Sequence, residues 1–322
     1  MRDHGGNIDA AKARFGGTDW IDLSTGINRQ PYPLPTLPAY VWTDLPTQAA
    51  QNGLISAARA AYGTQAAMIA LAGAQAAIQL IPLLSSRPAI AHVLAPTYNE
   101  HAAALRACGW QVVEVTSLAA LEGADLAIIV NPNNPDGRHF DAAELLDLSK
   151  TVGRMVIDES FADACPAQSL GAEASDKIIV LRSFGKFWGL AGVRLGFAIA
   201  GEETIARMTA LSGPWPVSGA AIEIGRIALS DHAWRLATTQ RLAMDAARLD
   251  RLASAAGWRL VGGTSLFRTY ETPGANETQA RLGACAIWSR IFPYSDHWLR
   301  LGLPGAEHEW VRLRAFFESS SE

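Results

Sequence analysis

Between residues 89 and 158 the chain alternates short apolar runs with stretches of helical spacing. The runs at 89–94, 111–115, 124–130 and 154–158 predict strands, and 99–108 and 141–151 predict the helices between them. A β-branched run at 178–181 closes the series. Such alternation predicts a mainly parallel sheet covered by helices, with the reactive groups at the strand ends. Upstream, helical spacing runs from 50 to 62, where Gly63 stops it, and 71–78 is a glycine turn feeding an alanine-rich helix that ends near Pro82. Downstream, 204–211 is helical, and Pro214-Trp215-Pro216 breaks the chain as a domain boundary would. The stretch 218–256 predicts long amphipathic helix. The remainder, with 258–270, a helix at 276–285, a strand at 298–303 and a last helix at 307–318, reads as an α+β domain. Residues 1–48 are rich in Gly, Pro and Asp and read as an extended arm wrapping the body or a partner subunit. The expected organisation is an arm at 1–48 contributing to a small domain, a large domain at 49–214 and the small domain at 215–322.

Composition narrows the function classes. The 322 residues, 49% hydrophobic, suffice for a large core with a smaller domain beside it. A formal charge of −4 supplies no basic field for nucleic acid. No run approaches the length of a membrane span, and the N-terminal stretch with Asp3, His4 and Gly5 has no signal-peptide core, so a cytoplasmic location is expected. Three cysteines, Cys108, Cys165 and Cys285, are far apart, and the seven histidines have no metal spacing; neither a disulfide framework nor a metal site is predicted.

Lysine usage is more telling. Four lysines stand against twenty-three arginines, and three of the four occupy solvated positions near the N-terminus, at a helix end and at a strand start. Lys186, in Arg182-Ser183-Phe184-Gly185-Lys186-Phe187-Trp188-Gly189, has aromatic and glycine neighbours just beyond a buried strand. Such surroundings favour the neutral amine, a Schiff-base nucleophile. Arg194, eight residues on, is a planar donor suited to phosphate. Gly73 opens a helix whose first N–H groups, on Ala74 and Gln75, could take a phosphate, although a simple turn into a helix fits equally. Other strand ends carry Tyr98, the turn Asn131-Pro132-Asn133-Asn134, and Asp158 directly after apolar residues. Alone, Tyr98 also fits packing and Asp158 a turn or cap. A dinucleotide fingerprint would need three glycines where 71–77 has one.

Taken in order, these strand ends resemble the fold-type I pyridoxal-phosphate enzymes of the class I/II aminotransferase group. That resemblance covers nearly the whole chain. It implies an α/β fold, with a large domain built on a mainly parallel seven-stranded sheet flanked by helices, a smaller α+β domain, and a homodimer with sites near the interface. It also implies pyridoxal 5'-phosphate as cofactor, bonded by Lys186, with Arg194, Ser183, Gly73, Ala74 and Gln75 around its phosphate. Tyr98 would stack on the ring, Asn134 would bond the ring hydroxyl, and Asp158 would pair with the ring nitrogen. Within the group, His4-Gly5-Gly6-Asn7, Ser24-Thr25-Gly26-Ile27-Asn28, the Lys186 stretch and Phe161 are similar to the threonine-phosphate decarboxylase branch, itself related to histidinol-phosphate aminotransferases.

The branch implies a phosphorylated amino acid as substrate, with Arg300 resembling the family's carboxylate-binding arginine; on the arm, His4 and Asn28, with Asn7 beside them, are the candidates for the substrate phosphate. Transamination of the histidinol-phosphate type would use almost the same site and stays open at this stage. Pyridoxal-phosphate-binding regulators carry an added DNA-binding module, for which no basic segment is present. Two departures from the group stand out. Gly185 replaces the serine or threonine common before the lysine, which leaves Ser183 as the hydroxyl. Leu45-Pro46-Thr47 replaces a Tyr-Pro-Asp whose tyrosine reaches the partner subunit's cofactor phosphate.

Overall fold

The computed structural model describes residues 4–319. Along the chain its strands are β1 (Ile21–Asp22), β2 (Ala67–Leu71), β3 (Ile90–Leu94), β4 (Gln111–Val115), β5 (Leu126–Val130), β6 (Arg154–Asp158), β7 (Ile178–Ser183), β8 (Gly196–Ala200), β9 (Arg259–Thr264), β10 (Phe267–Glu271), β11 (Ile287–Trp288), β12 (Arg290–Phe292) and β13 (Ser295–Gly302). Contacts divide the molecule into two compact units. The larger is made of Tyr32–Asn134 and His139–Arg235; the other takes in the N-terminal stretch to Pro31, Pro135–Arg138 and the chain from Leu236. The division falls inside the helix His232–Ala255, and Pro214-Trp215-Pro216 lies within the larger unit.

The larger unit is built on a seven-stranded sheet of order β2-β8-β7-β6-β5-β3-β4. The pairings β3–β4, β3–β5, β5–β6 and β6–β7 are parallel, and β8 runs antiparallel to β7 and β2. Every residue of β5 and β8 is buried, as expected of strands covered on both faces. Leu71, Ile78, Leu105, Leu126, Val156, Ile179 and Leu181 belong to one core cluster on this sheet. Because β3, β5, β6 and β7 are parallel, their C-terminal ends emerge along one edge, and the segments after Leu94, Val130, Asp158 and Ser183 lie together there.

Local chemistry fixes several element ends. The helix Gln48–Tyr62 starts where the Thr47 side chain accepts from Ala50 N and stops at Gly63, whose left-handed φ of 63° a glycine tolerates best. Asp141 and Glu144 form a capping box at the head of Ala142–Ser149. The expected single run at 218–256 is two helices, Gly219–Leu229 and His232–Ala255. Ser230 and Asp231 interrupt it, and Asp231 Oδ1 accepts from Trp234 N to cap the second helix.

The smaller unit holds an antiparallel sheet of order β12-β13-β10-β9 and a short parallel pair, β1 with β11. Within it, the chain 135–138 lies tightly on β9. A Cβ on Gly137 would come 2.3 Å from Gly263 N, and one on Gly262 would come 2.1 Å from Asp136 O. The expected extended arm is in fact partly helical: Ile8–Phe15 forms a helix capped by Asn7. The reason is tertiary, since Phe15 packs on Trp20 and Trp288 and directly over Gly283, where no Cβ would fit.

Candidate active site

A cavity of about 210 Å³ opens at the C-terminal edge of the parallel strands in the larger unit. Gly73, Ala74, Gln75, Tyr98, Asn134, Asp158, Ser183, Lys186 and Arg194 all line it, together with Ser160 and Phe161. Residues as far apart in sequence as Gly73 and Arg194 thus share one small space.

At its acidic end, Asp158 closes β6 and is 2% exposed. Its Oδ2 lies 2.8 Å from His101 Nε2, and its Oδ1 accepts from Ser160 N at 2.9 Å and Ser160 Oγ at 2.5 Å. Burial pushes this carboxyl up, but the bond and charge of His101 and the two bonds from Ser160 outweigh it and hold it below the ordinary carboxylate range. Asp158 is therefore a buried anion at neutral pH. Neither His101 nor Ser160 was among the expected site residues. The signal for His101 was its spacing, three residues after Tyr98 on the helix Glu100–Ala107, whose first turn carries it inward. For Ser160 it was the Asp-x-Ser turn, in which a serine two residues on donates back to the aspartate.

The opposite end is built for an anion. Ala74 and Gln75 begin the helix Ala74–Leu80, so their N–H groups point out of its start. Gly73, at φ 80°, has Arg194 against it: a Cβ there would fall 2.6 Å from Arg194 Nη2. A Cβ on Gly196 would fall 2.3 Å from Ala74 N and cover that donor. Two glycines thus keep a guanidinium and a helix-end N–H accessible at one spot. Arg194 is itself in the left-handed region, φ 54°, with its Nη1 donating to Ala191 O at 2.9 Å.

Lys186 lies between these ends, half-buried on the short helix Phe184–Phe187, its Nζ 5.6 Å from the centre of the Phe161 ring. Gly185 is buried before it, and a Cβ there would meet Ala191 Cα at 2.8 Å. That close approach leaves no space for a serine or threonine, which accounts for the hydroxyl missing at this position; Ser183 lines the cavity. Of the three asparagines at 131–134, two are spent on the scaffold. Asn131 bonds both backbone groups of Phe140, and Asn133 holds Thr97 Oγ1 and Pro96 O. Asn134 is the one that lines the cavity.

The expected substrate residues belong to the smaller unit. His4 lines a second cavity, about 460 Å³, together with Ser24 and Arg290. Arg300 is buried on β13, with Nη2 donating to Ser24 O at 2.7 Å. Arg290 on β12 is its register partner, a residue that sequence reasoning missed. Burial first, and then the Arg290 charge, lower the Arg300 guanidinium to about 10. Two cations directly opposed across a strand pair repel, in keeping with the lowered Arg300. Asn28 is buried with its Oδ1 accepting from Arg241 Nη2 at 2.8 Å and Gln30 N at 3.0 Å. Its carbonyl oxygen therefore serves the local structure. Among the described residues no group of three His, Cys, Asp or Glu side chains is placed to hold a metal, and no helix is long and apolar enough to cross a membrane.

Residues 44–309 match the family model for aminotransferase class I and II, and the chain belongs to that family. More narrowly, it is 42% identical over 315 residues to a threonine-phosphate decarboxylase from a Sinorhizobium species, covering 93% of this chain and 92% of that protein. It is 39% identical to the threonine-phosphate decarboxylase of Pseudomonas aeruginosa, covering 98% and 97%. Its fold matches that of the histidinol-phosphate aminotransferase of Sinorhizobium meliloti, solved in complex with pyridoxal-5'-phosphate, with a TM-score of 0.81 at 19% identity over 97% of this chain and 94% of that one.

Proposed function

We propose that this protein is a pyridoxal-phosphate-dependent lyase that decarboxylates L-threonine O-3-phosphate to (R)-1-amino-2-propanol O-2-phosphate, a step of cobalamin biosynthesis. The observation that carries this is the near full-length identity of about 40% to two threonine-phosphate decarboxylases. The cavity of the larger unit fits the cofactor: an ionised carboxylate at one end, a guanidinium and glycine-cleared N–H groups at the other, and a lysine between them. Arg194, Ser183 and the N–H groups of Ala74 and Gln75 would hold the phosphate, Tyr98 would cover the ring and Asn134 would bond its hydroxyl; Lys186 would hold the aldehyde carbon until the substrate's amino group takes its place, which frees Nζ as an amine. When bound, pyridoxal phosphate supplies a sink for the electrons left at the substrate's α carbon. Asp158, kept ionised by His101 and Ser160, holds the proton on the ring nitrogen that makes the sink effective.

Choice of reaction rests on orientation. Arg300 grips the substrate carboxylate as a bidentate fork and aims the bond that breaks, so that carbon dioxide leaves and the hydrogen stays. Arg290, its cross-strand partner, and His4 take the phosphate. Asn28 holds this region in place through Arg241 and Gln30. Lys186 Nζ returns a proton to the α carbon. We further propose a cytoplasmic homodimer; its interface covers the exposed Tyr40, Trp42 and Leu45 of the larger unit.

The test is to load the protein with pyridoxal phosphate and supply L-threonine O-3-phosphate, with L-histidinol phosphate plus 2-oxoglutarate in parallel. Carbon dioxide and aminopropanol phosphate are expected; glutamate without carbon dioxide would overturn the decarboxylase reading in favour of transamination. Lys186→Ala is expected to abolish turnover, by at least about 10⁴-fold, and with it the absorbance of a protein-linked cofactor; retention of that band would refute the role of Lys186.

A further inference from the structure

Glu100 is a carboxylate buried to 6% exposure just outside the cofactor cavity, which it does not line. Burying such a group is costly unless its bonds repay it. Its Oε2 accepts from Gln75 Nε2 at 3.1 Å, and Gln75 Oε1 in turn accepts from the Tyr98 hydroxyl at 3.2 Å. The order of donors in this string is dictated from the Glu100 end. Glu100 Oε2 takes the NH₂ of Gln75, which leaves the carbonyl of Gln75 toward Tyr98, whose hydroxyl donates to it. Reversing the amide would set a carbonyl against a carboxylate.

Gln75 and Tyr98 come from different parts of the site. Gln75 sits at the start of the helix Ala74–Leu80, at the anion-binding end, and Tyr98 follows β3 on the ring side. Both are half-buried, and the Gln75 side chain spans between them. We propose that Glu100 is a positioning residue: acting through the Gln75 amide, it fixes the direction of the Tyr98 hydroxyl, and so the ring plane, relative to the helix start that holds the cofactor phosphate. The string joins the two grips into one rigid clamp, although Glu100 touches neither cofactor nor substrate. This rests on the reading that the cavity holds pyridoxal phosphate.

The test is equilibrium binding of pyridoxal phosphate to the apo-protein, read by quenching of tryptophan fluorescence, for wild type, Glu100→Met, Tyr98→Phe and the double variant, with thermal unfolding of each apo-form alongside. Tyr98→Phe keeps the ring and deletes only the hydroxyl. Each single change is expected to weaken binding about tenfold, the cost of one bond of the string. The double variant is expected to be no weaker than Glu100→Met alone, because both changes cut the same string. Glu100→Gln, which still offers a carbonyl oxygen, should stay within about threefold of wild type. If Glu100→Met does not fold, the same cycle is run with Gln75→Met and carries the same expectation. Wild-type binding with an unchanged Glu100→Met, or a Tyr98→Phe penalty that is undiminished in the second background, would overturn the proposal. Absence of binding by wild type would instead overturn the reading of the cavity on which it depends.

Discussion

A carboxylate at 2% exposure holds its charge only if its neighbours outweigh the loss of water, and at Asp158 they are His101 on one oxygen and the Ser160 N–H and hydroxyl on the other. Asp158→Asn keeps the shape and removes the charge. It is expected to lower kcat at least about a hundredfold, with the cofactor still bound, in a steady-state assay of carbon dioxide release. The same substitution carries a pH signature. The folded-state pKa of Asp158 lies below its unfolded value, so the stability it contributes is present above about pH 4 and is lost as pH falls through the folded value. Urea unfolding from pH 7 down to pH 3 should therefore show the gap between wild type and Asp158→Asn closing only below about pH 4. A gap that is constant with pH would mean that the aspartate acts through packing. The identity of Asp158 could be read from the sequence because its type and its place after an apolar strand both point to chemistry. His101, Ser160 and Glu100 were harder to read, because each works through another side chain: His101 and Ser160 left only a spacing and an Asp-x-Ser turn as signals, and Glu100 left none.

The ends of β6 and β7 carry the residues next to Asp158 and Ser183, and one buried cation ties them. Arg182, beside Ser183, donates from Nη1 to Glu159 Oε2 at 2.7 Å, and Glu159 is beside Asp158. Arg182 Nη2 lies 3.2 Å from Asp163 Oδ1, and the guanidinium sits 4.4 Å from the centre of the Tyr62 ring. Glu159 also accepts from Ser169 Oγ and Leu170 N. Two carboxylates and one guanidinium, all nearly fully buried, stand or fall together. Arg182→Met removes the cation the two carboxylates share, with only the lesser influence of Arg235 left on Asp163, and a loss of about 3–5 kcal/mol is expected at pH 7 by urea unfolding. Burial already pushes Asp163 up in spite of Arg182, so the variant should recover part of this loss as the pH drops and Asp163 takes up a proton. A loss under about 1 kcal/mol would show that the staple is redundant. The elements themselves were unevenly legible. β6 and the helix Glu307–Glu318 follow from periodicity alone, since each buries one continuous run or stripe. β8 hid inside the glycine-rich motif stretch, although Phe197 to Ala200 is apolar throughout, and its antiparallel place in the sheet is a matter of topology that no local pattern carries. The helix Ile8–Phe15 was hidden for a related reason: the rings that hold it come from Trp20 and Trp288, and Trp288 is distant in sequence.

At the scale of the molecule, the larger unit exposes several large apolar side chains close together in sequence. Leu34, Tyr40, Trp42 and Leu45 are 64%, 58%, 68% and 63% exposed within a dozen residues, and Trp215 is 53% exposed. Single exposed apolar side chains are ordinary, but several large ones within a dozen residues, Tyr40 and Trp42 both in the short helix Tyr40–Thr43, have the composition of an interface core. A second copy is the proposed occupant, in a two-fold arrangement that presents the same patch from both sides. The departure at Leu45-Pro46-Thr47 bears on this. On the proposed reading, leucine in place of the tyrosine of related enzymes would contribute apolar contact, and the cofactor phosphate would depend on Arg194 and the helix start of its own chain. Dilution should then separate two properties. Sedimentation equilibrium is expected to give twice the chain mass for wild type, and Trp42→Glu should raise the dissociation constant at least about thirtyfold by burying a charge in the patch. Pyridoxal phosphate binding by the resulting monomer should remain within about threefold of wild type, as expected when no partner hydroxyl is lost. A Trp42→Glu protein that stays dimeric would place the interface elsewhere, and a monomer that cannot hold the cofactor would show that the partner supplies a contact through some residue other than the one at position 45.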